Sequence, residues 1–213
     1  MKNLRTAVIL ANGTPPGADL LRPAVASAAL FVCADGGADA ARALGVTPHA
    51  IVGDLDSITP ETLAHYHDVP VHRDTDTSRT DFEKAVELVL ARGPFEQIRV
   101  FGAGAGRLDH ILGNLSVLLR YLGRAPLVLE DEHGRSWAAA GDVRLVEPAG
   151  TVVSFFALGE PAEGVSTEGL RYPLSGARLE MGAQDSVSNV VEAMPAWIRV
   201  ARGRILVTIV TRA

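Results

Sequence analysis

Gly53-Asp54-Leu55-Asp56-Ser57 places two carboxylates two residues apart, directly after the apolar run Ala50-Ile51-Val52. An apolar run that ends in glycine reads as a buried strand entering a turn. Open α/β sheets bind their ligands at the carboxyl ends of such strands. Two clustered carboxylates repel each other there, so the site needs protons or a cation. Oxygen-only donors suit Mg²⁺, which takes one or two carboxylates together with substrate phosphates. The competing reading is an exposed acidic turn in which Asp56 or Ser57 caps a helix. Three further acid-bearing turns in the same half of the chain favour the chemical reading.

The elements that must position these acids alternate. Ala7–Ala11 reads as a strand closed by Asn12-Gly13, and 19–28 as a helix that Pro23 limits to its first turns. Leu30–Ala34 is a strand ending in Asp35-Gly36-Gly37, followed by a short helix over 38–44. After the strand at 50–52, Pro60–Tyr66 is a helix with proline in its first turn, and 69–72 is a weaker strand. Phe82, Ala85, Val86, Val89 and Leu90 recur at helical spacing, so a helix runs over 82–92. Thr80 is its N-cap, with Glu83 completing a capping box. Asp81 then lies in the first turn, where the helix dipole favours an anion. Lys84 follows one turn later, as a surface ion-pair partner or a phosphate ligand.

Gln97–Phe101 is the fifth strand and runs into Gly102-Ala103-Gly104-Ala105-Gly106-Arg107-Leu108-Asp109-His110 and a helix to about residue 122. A glycine-rich turn at a helix start offers free N–H groups to an anion. The dinucleotide fingerprint fails because Arg107 stands where its last glycine is required, and the P-loop pattern is absent. A cation at Arg107 opposes the helix dipole, a conflict that an anionic ligand would resolve. His110 reads best as a hydrogen-bonded helix residue. Five alternations predict a parallel sheet with helices on both faces, whose acid-bearing turns share one edge. Asp35, Asp54, Asp56, Asp81 and Asp109 thereby converge, which reads as a Mg²⁺-dependent phosphoryl or nucleotidyl transfer site.

Pro126–Glu130 is a sixth strand, and beyond it the helical period disappears. Short strands over 143–146, 151–158 and 205–210, punctuated by Gly and Pro, suggest an antiparallel sandwich. The expected organisation is an α/β domain over 1–133 and a β-sandwich over 137–213, the smaller second domain packing on its neighbour or dimerising. Gln184–Asn189 reads as a loop. Of 213 residues 47% are hydrophobic, enough for a sizeable core, but only 5% are aromatic. The net charge of −5 argues against binding nucleic acid through a basic face. The single cysteine, Cys33, excludes an intrachain disulfide and a cysteine-based zinc site. Met1-Lys2-Asn3-Leu4-Arg5 lacks the apolar segment of a signal peptide, and no apolar stretch is long enough to span a bilayer. The expectation is a cytoplasmic protein without a membrane partner.

Four motifs carry a family resemblance: Cys33-Ala34-Asp35-Gly36-Gly37-Ala38, Gly53-Asp54-Leu55-Asp56-Ser57, Thr80-Asp81-Phe82-Glu83-Lys84-Ala85 and Gly106-Arg107-Leu108-Asp109-His110. In order and spacing they resemble thiamine pyrophosphokinase. Gly169-Leu170-Arg171-Tyr172-Pro173-Leu174 and Ser186-Val187-Ser188-Asn189 are similar to that family's C-terminal motifs. The resemblance implies an α/β nucleotide domain followed by a β-sandwich, working as a homodimer with thiamine at the dimer interface. It implies transfer of a pyrophosphoryl group from ATP to the hydroxyethyl group of thiamine, giving thiamine diphosphate and AMP. Asp54, Asp56 and Asp81 would hold Mg²⁺ with Asp35 nearby, and Lys84 and Arg107 would neutralise phosphate. Ser57, Thr80 and Asp109 would belong to the nucleotide site. Ser188 and Asn189 would hydrogen-bond thiamine, and Tyr172 would pack against its rings. Two positions depart from the family pattern: Ser78 stands where an acid is usual, and Val190 where bacterial members tend to carry Glu.

Three alternatives are distinguishable. A pyrophosphokinase for another heteroaromatic alcohol, such as a hydroxymethyl-pterin, would keep the acids, Lys84 and Arg107 and differ in the C-terminal pocket. A non-catalytic thiamine- or nucleotide-binding regulator has less need of a full metal site. A metal-dependent phosphatase would account for Asp54-Leu55-Asp56 but for neither Arg107 nor the second domain.

Overall fold

The computed structural model describes residues 5–211, so the expectation for Met1-Lys2-Asn3-Leu4 lies outside the described residues. The chain divides into two compact units between Glu132 and His133. In the first, six strands form a parallel sheet: β1 (Thr6–Leu10), β2 (Leu30–Ala34), β3 (Ala50–Gly53), β4 (Val71–Arg73), β5 (Gln97–Phe101) and β6 (Leu127–Asp131). Their spatial order is β6-β5-β1-β2-β3-β4, with every pairing parallel. The chain builds outward from β1 to β4, then crosses back to lay β5 against the other side of β1. At such a reversal the loops after the two neighbouring strands separate and leave a crevice.

Strand alternation explains the layers. Val8, Leu10, Phe31, Cys33 and Ile51 share one cluster with Leu21 and Ala24 of α1 (Ala18–Ser27) and Ala38 and Ala41 of α2 (Gly37–Ala43). The alternate residues Ala7, Ile9 and Val32 are equally buried, and α4 (Asp81–Ala91) packs across β1, β2 and β3. Pro23 does not end α1, which continues to Ser27. The buried Leu21 and Ala24 hold its inner face, and Ser27 Oγ donates to the carbonyls of Pro23 and Ala24.

The capping box at α4 is half made. Thr80 Oγ1 accepts from Glu83 N at 3.2 Å, but the Glu83 carboxylate turns to Arg120 and Tyr121 at the end of α5 (Leu108–Arg120). Glu83 is buried, and its guanidinium partner supplies the charge that makes burial tolerable. This contact fixes α4 against α5.

The second unit holds two antiparallel four-stranded sheets. One has the order β12 (Ser186–Val190), β9 (Val152–Ala157), β14 (Ile205–Val210), β7 (Gly134–Ala139). The other has the order β11 (Ala177–Leu179), β10 (Ala162–Glu168), β13 (Ala196–Arg199), β8 (Val143–Leu145). Phe155, Val207 and Ile209 from the first meet Val165, Leu179 and Ile198 from the second in one core, the sandwich the patterning suggests. β7, β10 and β13 carry no clear alternation, and β12 lies in a segment that reads as a loop. They are strands because β14, β9 and their neighbours supply ladder partners along them.

Arg120→Ala is expected to cost about 1–3 kcal/mol by leaving Glu83 without its cation. Urea denaturation should show Glu83→Gln recovering part of that loss in the double variant.

Candidate active site

Asp35 leaves β2 with φ 43 and is fully buried. Its Oδ2 accepts from Ser57 N at 3.2 Å and its Oδ1 from Ile58 N at 3.0 Å. Burial pushes its pKa up to about 6; the two N–H donors oppose the shift, and the neighbouring Asp81 and Asp54 add to it. Gly53 is required beside it, because a Cβ there would lie 2.8 Å from Asp35 Cβ. Asp54 follows at the end of β3, and Asp81 enters from the first turn of α4. One carboxylate oxygen from each of Asp35, Asp54 and Asp81 lies within 4.8 Å of the others.

Lys84 Nζ donates to Asp81 Oδ1 at 2.9 Å, and its side chain is only 3% exposed. The lysine is therefore buried, while the Asp81 side chain remains 30% exposed. Burial opposes the ammonium, but Asp81, Asp54 and Asp74 together hold its pKa above the ordinary lysine value. Three acids facing one ammonium leave a net negative pocket that a divalent cation can neutralise. The all-oxygen donor set, with one member buried, fits Mg²⁺.

The grouping differs from the expected one in a single member. Asp35 joins Asp54 and Asp81, whereas Asp56 turns aside and accepts from Ser57 Oγ at 2.8 Å. Asp56 still lines the same cleft, of about 660 Å³, as do Asp54, Ser57, Thr80, Asp81, Arg107 and Asp109. The cleft sits at the β1–β5 reversal, where Ala11 N donates to Phe101 O and Gly13 N to Gly102 O. Gly102 has φ 70, and a Cβ on it would lie 2.5 Å from Ala11 O. Asn12, Phe82 and Asn114 also line the cleft and escaped sequence reasoning; the Asn12-Gly13 turn after the first strand was the available signal.

Arg107 precedes α5 and caps nothing with its side chain. The conflict with the helix dipole is relieved by Asp109 in the first turn, which the guanidinium grips at 3.2 and 2.6 Å. That hydrogen bond holds the Asp109 carboxyl below the usual carboxylate range. Both side chains are exposed. His110 lines the cleft too. At the departure from the family pattern, Ser78 donates from N and Oγ to Asp76 Oδ1, and Arg79 bridges Asp74 and Asp76.

In the second unit Tyr172 is 60% exposed, while Asn189 is 1% exposed. Asn189 Oδ1 accepts from Tyr172 N and Val190 N, and its Nδ2 donates to Tyr172 O at 2.8 Å and to Ser186 Oγ at 3.4 Å. The amide is thus engaged on both atoms and pins the Tyr172 backbone to β12. Ser188, with φ 53, is held by its N–H donating to Ser154 Oγ at 2.9 Å.

A family model for the thiamin pyrophosphokinase catalytic domain matches residues 21–128, and one for the vitamin B1 binding domain of the same enzymes matches residues 142–205. The chain belongs to the thiamin pyrophosphokinase family. Its relatives include thiamine pyrophosphokinase 1 of Oryza sativa subsp. japonica, 29% identical with 78% of this chain and 73% of the relative covered. Thiamin pyrophosphokinase 1 of Caenorhabditis elegans is 30% identical, with 71% and 66% covered. The solved thiamine pyrophosphokinase of Bacillus subtilis has a TM-score of 0.86 at 22% identity, with 98% of this chain and all of that chain (100%) covered. That of Candida albicans gives 0.87 at 18% identity, with 97% and 89% covered. At these identities the structural likeness establishes the family's fold.

Asn189→Ala removes the partners of both Tyr172 backbone groups. It is expected to cost about 1–3 kcal/mol and to speed amide hydrogen exchange at Tyr172, read by nuclear magnetic resonance.

Proposed function

We propose that the chain transfers the pyrophosphoryl group of ATP to the hydroxyethyl oxygen of thiamine, releasing AMP and thiamine diphosphate, with Mg²⁺ at the carboxylate group. The observation that carries the reading is the convergence of Asp35, Asp54 and Asp81 beside buried Lys84, at a crevice of an α/β sheet in a chain of this family. The metal, when bound, supplies positive charge to the phosphate oxygens.

The chain's own residues supply position and charge, which is most of what phosphoryl transfer requires. Lys84 neutralises phosphate charge from within the protein, where its stem is immobilised and its ammonium is kept protonated. Arg107 adds a second cation by exchanging the Asp109 carboxylate for phosphate oxygens, at small cost because that pair is exposed. Ser57, Thr80 and Asp109 line the nucleotide's path. The acceptor hydroxyl attacks the β-phosphorus in line. The new bond joins its oxygen to phosphorus, the bond from the β-phosphorus to the α–β bridging oxygen breaks, and AMP departs. The hydroxyl proton passes to a carboxylate among Asp54, Asp56 and Asp81.

The first unit is the ATP- and Mg²⁺-binding part and the second the thiamine-binding and dimerisation part. Tyr172 offers its ring to the cationic thiazolium, Asn189 holds Tyr172 in place, and Ser188 contributes a hydroxyl. Exposed Tyr172, Met181, Val187 and Met194 give the second unit apolar surface, which supports a homodimer. The protein works in the cytoplasm, where ATP and Mg²⁺ are abundant. The acidic balance of −5 supports small-molecule and not nucleic-acid partners. No helix among the described residues is long and apolar enough to cross a membrane.

Incubation with ATP, Mg²⁺ and thiamine is expected to give AMP and thiamine diphosphate, identified by mass. Asp54→Asn and Asp81→Asn are expected to abolish both products while the circular dichroism spectrum is retained; unchanged turnover in both would sink the metal site. Tyr172→Ala is expected to raise the Michaelis constant for thiamine more than that for ATP. AMP formed with a hydroxymethyl-pterin and not with thiamine would reassign the acceptor and keep the nucleotide site.

A further inference from the structure

The segment from Asp54 to Thr59 is restrained at three points, and its restraints explain why one of its acids joins the carboxylate group and the other does not. In extended backbone, residues two apart point the same way. Leu55 breaks that relation by adopting φ 69, a left-handed conformation disfavoured for a residue with a Cβ. Asp54 is thereby directed to Asp35 and Asp81, and Asp56 to Ser57. The strained turn persists because Leu55 packs its side chain, half-buried, against the core cluster that includes Ile51, Ile58 and Tyr66.

Downstream the segment is tied to the neighbouring β2–α2 region. Asp35 accepts from Ser57 N and Ile58 N. Asp39, in the first turn of α2, accepts from Thr59 N at 3.1 Å and from Thr59 Oγ1 at 2.6 Å. Thr59 Oγ1 in turn accepts from Thr62 N, capping α3 (Pro60–His65). Asp39 does not line the cleft; it meets the segment from its far end.

We infer that Leu55 and Asp39 are positioning residues for the cation site: the anchored left-handed turn at Leu55 and the hold of Asp39 on Thr59 set the Asp54 carboxylate against Asp35 and Asp81. The inference rests on the reading of that carboxylate group as a divalent-cation site. Groups that orient metal-binding carboxylates typically govern affinity by ten- to a hundredfold, although they never touch the ion.

The test uses Mn²⁺ as the probe, with free Mn²⁺ read by electron paramagnetic resonance on the full chain, and Tm measured in parallel. Leu55→Gly accepts the left-handed backbone freely but removes the anchor, Leu55→Met keeps an apolar anchor, and Asp39→Ala releases Thr59. Leu55→Gly and Asp39→Ala are expected to weaken Mn²⁺ binding by about tenfold at a temperature where all variants are folded, and Leu55→Met to retain it. A merely structural role would lower Tm and leave the Mn²⁺ dissociation constant unchanged, and that result would overturn the inference. Failure of the unaltered protein to bind Mn²⁺ is a different outcome: it would remove the cation site itself, and the inference with it.

Discussion

Three carboxylates held within 4.8 Å of one another are the constraint on which the rest of the first unit depends. At an effective dielectric near 20, each ionised pair at that range repels by on the order of 3 kcal/mol. Nothing local to any one acid makes the gathering favourable. It is enforced from two strand ends and a helix start, whose positions are set by the parallel ladder and the packing beneath it. Gly53 leaves space for Asp35, backbone N–H groups stabilise Asp35, and Lys84 is buried against Asp81. Each device lowers the cost of the cluster without discharging it. The residual negative charge is of the kind a divalent cation can neutralise.

The two cations of the site are kept in different ways. Lys84 is immobilised in the interior, with its pairing partner one helical turn away. Arg107 stands in solvent and is matched by Asp109 two residues on. A buried ammonium provides fixed field, since its stem has no freedom left to lose. An exposed guanidinium can change partners, because an exposed pair is worth little. The first unit thus combines one fixed charge with one that is free to change partners.

Hydrogen-bond saturation shapes the second unit as electrostatics shapes the first. Asn189 sits in the polar segment of β12 yet is almost inaccessible, with every polar atom engaged inside the fold. Its consequence is an ordered Tyr172 backbone beneath an exposed ring. The departures from the family pattern fall at similarly self-contained places. Ser78 is bound to Asp76, and Asp76 and Asp74 to Arg79, so the loop before α4 satisfies its own charges. Val190 pairs with Val152 in the β9 ladder.

Much of this was legible in the chain itself. The alternation of apolar runs with helical spacing dictated the parallel sheet, because burial on two faces demands continuous apolar strands such as Leu30–Ala34. Thr80 and Asp81 announced a helix start by the chemistry of free N–H groups. Acids after strand ends announced a shared edge. Other features depend on partners distant in sequence. Glu83 reads as half of a capping box until Arg120 is brought to it by packing. Asp56 reads as a twin of Asp54 until Leu55, anchored in the core, turns the chain between them. β7, β10 and β12 lack a pattern of their own and became strands because neighbouring ladders offered hydrogen bonds. Local periodicity and end chemistry are properties of contiguous residues and survive in the sequence. The partner of a buried charge, the direction of a carboxylate and the pairing of a polar strand are set by residues that only folding brings near, and the tertiary structure alone decided them.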